Sequence, residues 1–152
     1  DLVHWLTGGI QKIYGNISHV SDLEINTEDL ANLTLTNKNG AIGQIQMDMV
    51  SPEYRRSLEL IYRDAIVYWD YTTGTVYKKQ NGVMSLIDQT PKTFEKNVMF
   101  KKLMSNFIER INGEVRKPFC SFEEAIFVQK IAESARRSSM LNKVVNLDEF
   151  EI

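Results

Sequence analysis

The chain has 152 residues, 43% of them hydrophobic and 25% charged, which is enough apolar material for the core of one ordinary domain. Basic residues number 18 against 20 acidic, a formal net charge of −2, and no basic stripe stands out, so nucleic acid is not an expected partner. The single cysteine, Cys120, excludes an internal disulfide and a cysteine-rich metal cage, and no apolar run reaches the ~18–20 residues that span a bilayer.

The chain opens Asp1-Leu2-Val3-His4-Trp5-Leu6-Thr7-Gly8-Gly9. The apolar cluster reads as the last turns of a helix, and the glycine pair stops it as a C-cap would. A buried helix seldom starts in its last two turns, where its first N–H groups would lack a cap. Residue 1 is therefore expected to be a boundary within a longer protein. A lone thiol fits a reducing compartment, and cytoplasm is the expected location.

Residues 10–20 read as a strand carrying Ile13, Tyr14, Ile17 and Val20, and residues 21–28 as a loop. Residues 29–36 alternate, with Ala31, Leu33 and Leu35 opposed to Asn32, Thr34 and Thr36. Asn39-Gly40 marks a turn, and residues 43–49 alternate again, with Ile45 and Met47 opposed to Gln44 and Gln46. Strands are expected over 54–63, 65–71, 75–79 and 83–87, separated by short turns. Hairpin connections of this kind predict a mainly antiparallel sheet.

Two helices follow. Phe100, Leu103, Met104, Phe107, Ile108 and Ile111 recur at helical spacing and predict a core-facing stripe. Ser121 with Glu124 forms a capping box that opens the second helix, expected to run to about residue 138 with Arg136 and Arg137 near its end. A short strand over 143–147 closes the chain. The expected architecture is α+β: one domain, residues 1–152, with an open antiparallel sheet and helices packed on one face. Its other face, with Asn32, Thr34, Gln44, Gln46, Ser57 and Glu59, is polar and either solvated or paired with a second copy.

Chemistry-bearing motifs are sparse. No Gly-x-Gly-x-x-Gly lies between a strand and a helix, and Gly40-Ala41-Ile42-Gly43 has neither the spacing nor the setting to approach a pyrophosphate. No cofactor-binding residue is therefore assigned. His4 and His19 lack nearby ligand partners, so no metal site is assigned, and no nucleophile elbow is present. Asp1 and His4, three apart on a helix, have the spacing to face one site; packing is the competing role for His4. Tyr62, Tyr68, Trp69, Tyr71 and Tyr77 either stack on a sugar or pack within the fold. Asn16-Ile17-Ser18 and Asn32-Leu33-Thr34 fit the glycosylation pattern but fall in strands of a chain expected inside the cell.

The succession of elements resembles the C-terminal domain of the glucose–fructose oxidoreductase / inositol dehydrogenase (Gfo/Idh/MocA) family. The resemblance runs through residues 1–8, Glu28-Asp29-Leu30-Ala31, Gly43-Gln44-Ile45-Gln46 and Tyr54 to Leu60, then Phe100 to Ile108, Lys117-Pro118-Phe119 and Ser121 to Ser139. It implies an N-terminal Rossmann domain binding NAD or NADP, absent from this chain, and an open sheet that walls the substrate cleft and joins subunits into a homo-oligomer. It also implies hydride transfer with a sugar, sugar derivative or cyclitol, the proton-moving Lys and His lying upstream. No catalytic residue is thus assigned here, and the fragment alone is expected to be inactive although its parent is an enzyme. Asp1 matches a family aspartate that either touches substrate hydroxyls or packs the helix end. The alternative is a stand-alone self-associating or small-molecule-binding module without redox activity.

Overall fold

The computed structural model describes residues 1–114 and 118–150. Lys117 of the family-like Lys117-Pro118-Phe119 run lies outside the described residues. The chain divides into two compact units, one formed by residues 1–51 with the C-terminal segment from 118, the other by residues 52–114. Each carries a four-stranded antiparallel sheet, so the α+β class and the antiparallel character hold, with the strands shared between two sheets.

In the first unit, α1 (Leu2–Thr7) leads into β1 (Ile10–Ser18), β2 (Leu30–Asn37) and β3 (Ile42–Asp48). Gly8 ends α1 in the left-handed conformation, φ 75°, and its N–H donates to the His4 carbonyl at 3.0 Å. A side chain at Gly8 would be strained there, which is why glycine is the stop signal. β8 (Val145–Asn146) completes the order β3-β2-β1-β8. Alternation places Ile13 inward and Lys12, Tyr14 and Asn16 outward on β1. A bulge between Ile10 and Lys12 breaks the period, so Ile10 and Ile13 are both buried although three apart.

The long helix that closes this unit, labelled α3 (Phe122–Leu141), packs on β1. Its predicted capping box is formed: Ser121 Oγ accepts from the Glu124 N–H at 3.1 Å, and Glu124 Oε2 accepts from the Ser121 N–H at 2.7 Å. The helix runs three residues beyond the expected end, to an Asn142 cap in the left-handed region, so Arg136 and Arg137 are not in its last turn. The core is Ile10, Ile13, Leu33, Leu35, Ile131, Ala135, Val145 and Leu147, with Val3, Ile17, Ile45, Phe127 and Phe150 packed around it. Small residues let α3 approach closely. A Cβ added to Gly15 would lie 2.7 Å from the Ala135 carbonyl oxygen, inside any real contact distance.

β8 pairs only with Lys12 and Ile13, so the edge of β1 beyond them needs other partners. Ser138 and Ser139 of α3 supply them. The Gly15 N–H donates to Ser138 Oγ and the Ile17 N–H to Ser139 Oγ, each at 2.9 Å. Ser138 passes its own proton to the Lys143 carbonyl at 2.6 Å, and Ser139 to the Ile17 carbonyl at 3.2 Å.

The second unit is a meander of β4 (Ser57–Ile61), β5 (Ala65–Asp70), β6 (Thr75–Gln80) and β7 (Val83–Gln89), followed by α2 (Asn97–Ile111). Alternation divides the aromatic cluster. Tyr68 pairs with Tyr77 across β5 and β6 on one face, while Trp69 and Val76 pair on the opposite one. α2 keeps the apolar stripe read from the sequence, but none of its residues is buried. The spacing that marks a helix face does not say what covers it, and a unit of this size buries little surface.

Candidate functional site

At the entry helix, Asp1 is exposed in the N-cap position; its carbonyl accepts from the Trp5 N–H at 2.9 Å, while its carboxylate makes no capping bond. His4 turns inward instead. Its ring packs against Phe127 of α3 with centroids 4.7 Å apart, and its Nδ1 is buried without a partner among the described residues. Burial, opposed by Glu124 and helped by Lys38, holds the His4 imidazole below its ordinary pKa. Three-residue spacing thus does not make Asp1 and His4 one site: Asp1 faces solvent and His4 faces the core. Thr7 anchors the helix end, donating to the Val3 carbonyl at 2.7 Å.

The loop between β1 and β2 is organised around Asp29, whose side chain is fully buried. Oδ1 accepts from the Val20 N–H at 2.7 Å and Oδ2 from the Ser21 N–H at 3.0 Å, with the Ser21 hydroxyl also bonded to Oδ2. The Ser21 hydroxyl bond is the largest influence holding Asp29 below the usual carboxylate pKa; burial opposes it, and the two backbone bonds and His19 assist. His19 stands beside this clasp, Nδ1 3.0 Å from the Thr27 carbonyl and 3.6 Å from Asp29 Oδ2. With a carbonyl as acceptor, Nδ1 carries the proton. His19 therefore tethers the loop.

Next to the clasp lies an apolar groove of about 360 Å³, lined by Leu30, Ala31, Met47, Met49, Ala132 and Ala135 among others. Its rim carries Glu28 and Arg136, with Oε2 and Nη2 3.6 Å apart. The opposite face of the same sheet is open. Lys12, Tyr14, Asn16, Asn32, Thr34, Gln44 and Gln46 are exposed on it, and the register sets Asn16 beside Asn32, Asn32 beside Gln46 and Thr34 beside Gln44. The two glycosylation-pattern asparagines are thus cross-strand neighbours. Ser57 and Glu59, read as part of this face, lie on β4 of the other unit.

Among the described residues no Rossmann-type dinucleotide cradle is formed. All described strand pairs are antiparallel, no strand passes through a glycine loop into a helix, and the N-terminus of α3 is filled by its own Ser121–Glu124 box. Among the described residues no three His, Cys, Asp or Glu side chains converge, and no helix is long and apolar enough to cross a membrane. Sequence reasoning recognised Asp29 only as part of a family-like run. It missed that Ser21, Val20 and His19 close on that carboxylate, a convergence signalled only by their nearness along the loop.

Residues 1–68 match the family model described as the GFO/IDH/MocA C-terminal domain. No curated protein sequence matches the chain. Solved structures share its fold. An oxidoreductase domain protein from Kribbella flavida superposes with a TM-score of 0.80 at 14% identity, over 97% of this chain and 47% of its own. An oxidoreductase from Agrobacterium radiobacter, in complex with NAD+, L-tartaric acid and magnesium, gives 0.79 at 14% identity over 97% and 46%. The WlbA dehydrogenase from Bordetella pertussis, in complex with NADH and UDP-GlcNAcA, gives 0.72 at 17% identity over 95% and 42%. The chain spans less than half the length of each of these proteins.

Proposed function

We propose that this chain, whose residues 1–68 match the GFO/IDH/MocA C-terminal domain model, is the substrate-side portion of an NAD- or NADP-dependent oxidoreductase acting on a sugar, sugar derivative or cyclitol. One observation carries the reading: a family match at the N-terminal end joins a fold shared over nearly the whole chain with oxidoreductases about twice as long. Two of those hold NAD+ or NADH, and one also holds UDP-GlcNAcA, which supports a carbohydrate-type substrate. In this reading the nucleotide belongs to an upstream Rossmann domain.

In this reading residues 1–152 form one wall of the substrate cleft. Asp1, exposed at the start of α1, accepts hydrogen bonds from vicinal hydroxyls of the substrate. The open face of the first sheet, polar but carrying little charge, joins a second copy, and the protein works in the cytoplasm. The isolated chain neither binds the dinucleotide nor turns over substrate. NADH titration, followed through Trp5 and Trp69 fluorescence with inner-filter correction, is expected to show no saturable change. Tight saturable quenching would contradict the division of labour between the two halves.

A further inference from the structure

The second unit contains a group of side chains that the oxidoreductase reading does not use. Tyr54 and Arg56 precede β4, Trp69 lies on β5 with Tyr71 just beyond it, and Lys96 precedes α2. The Tyr71 N–H donates to the Arg56 carbonyl at 2.9 Å, which fixes the two residues side by side. The Arg56 guanidinium then stands 5.6 Å from the Trp69 ring centroid and 5.5 Å from that of Tyr71. The two rings meet edge to face, 5.9 Å apart at 73°. Lys96 Nζ is 5.5 Å from the same Tyr71 centroid, and Tyr54 approaches Tyr71 edge-on at 6.1 Å.

Two cations thus share one aromatic ring, and neither has an ion-pair partner among the described residues. A guanidinium placed over aromatic rings is attracted by their negative faces and keeps N–H donors for a further partner. A guanidinium held this way is preorganised for the two oxygens of a carboxylate or phosphate. Two positive charges near one ring raise the local potential and favour an anion there. Beside them Tyr54 is 67% exposed, an amphipathic ring open to one further flat partner.

We propose that this cluster binds an anionic carbohydrate, a sugar phosphate or a uronate. Arg56 and Lys96 take the oxyanion, and the pyranose ring lies against Tyr54. The proposal stands on this cluster alone and is independent of the oxidoreductase reading.

The test uses the whole chain carrying Trp5→Phe, which leaves Trp69 as the fluorescent reporter because the sequence has 2 tryptophans. Glucose 6-phosphate and glucuronate are titrated separately, with glucose and inorganic phosphate as controls. Saturable change is expected with one or both anionic sugars, none with glucose, and weaker binding of phosphate alone. Arg56→Ala is expected to weaken binding by about tenfold or more, and Lys96→Ala by several-fold. Lys96 is exposed, so its variant tests the site even if Arg56→Ala disturbs the sheet. No saturable response to either sugar would overturn the proposal, as would unchanged affinity in the Lys96→Ala variant. Phosphate binding as tightly as glucose 6-phosphate would overturn the role given to Tyr54.

Discussion

The Gly15 N–H donates to the Ser138 hydroxyl at 2.9 Å across 123 positions of sequence, joining the unpaired edge of β1 to α3. The same glycine leaves no room for a Cβ beside the Ala135 carbonyl. Gly15→Ala is therefore expected to force helix and sheet apart, at a cost of about 1–3 kcal/mol. Ser138→Ala is expected to cost about 1–3 kcal/mol for a different reason, because it strands a buried N–H. Urea unfolding of both variants measures this. Stabilities unchanged from the parent chain would contradict the close approach.

Ser134, one turn before Ser138, makes the opposite case. Its Oγ is fully buried and has no hydrogen-bond partner among the described residues. Removing an unsatisfied hydroxyl removes its desolvation penalty, so Ser134→Ala is expected to stabilise the first unit by about 1 kcal/mol. A thermal melt with a higher midpoint is the expected result.

The Asp29 clasp gives the first unit a dependence on acid. Bonds from Ser21 and Val20 hold the folded carboxyl below its ordinary value of 3.8. The unfolded chain therefore binds this proton more readily. The stabilisation is complete above that value and is lost as pH falls through the folded pKa. Urea midpoints measured between about pH 5 and pH 2 are expected to fall toward acid, and Asp29→Asn to flatten part of that fall. An identical pH profile in the variant would show that Asp29 is not the group concerned.

Self-association through the open sheet face is testable by charge. Thr34 and Gln44 face each other across β2 and β3 and are both exposed. The double variant Thr34→Lys, Gln44→Lys adds two like charges to each copy, which repel across a two-fold interface. Light scattering is expected to show a dimer or larger species for the parent chain and a smaller one for the variant. A parent chain of 17.5 kDa at every concentration would remove the proposed interface.

Much of the first unit is legible in the sequence. Alternation in β2 and β3, the glycine stop at Gly8 and the Ser121–Glu124 box each rest on a local rule, and local rules survive folding. The division into two sheets was not legible, because consecutive hairpins look alike whether they continue one sheet or begin another. The α2 stripe was legible as a helix face, yet its exposure depends on partners that spacing does not encode. At the candidate site, Asp1 and His4 were three apart as read, but only packing against Phe127 shows that His4 turns away from solvent. The Arg56–Tyr71 pairing needed the register of β4 against β5, which fixes who stands beside whom.

The most direct test of the oxidoreductase assignment is the mass of the native protein, captured from its source with an antibody against this chain. The account predicts roughly 35–40 kDa, which adds a Rossmann domain to these residues, and NAD(P)-dependent oxidation of a sugar or polyol by the captured material. A native mass of 17.5 kDa would mean that the domain stands alone and would contradict the assignment.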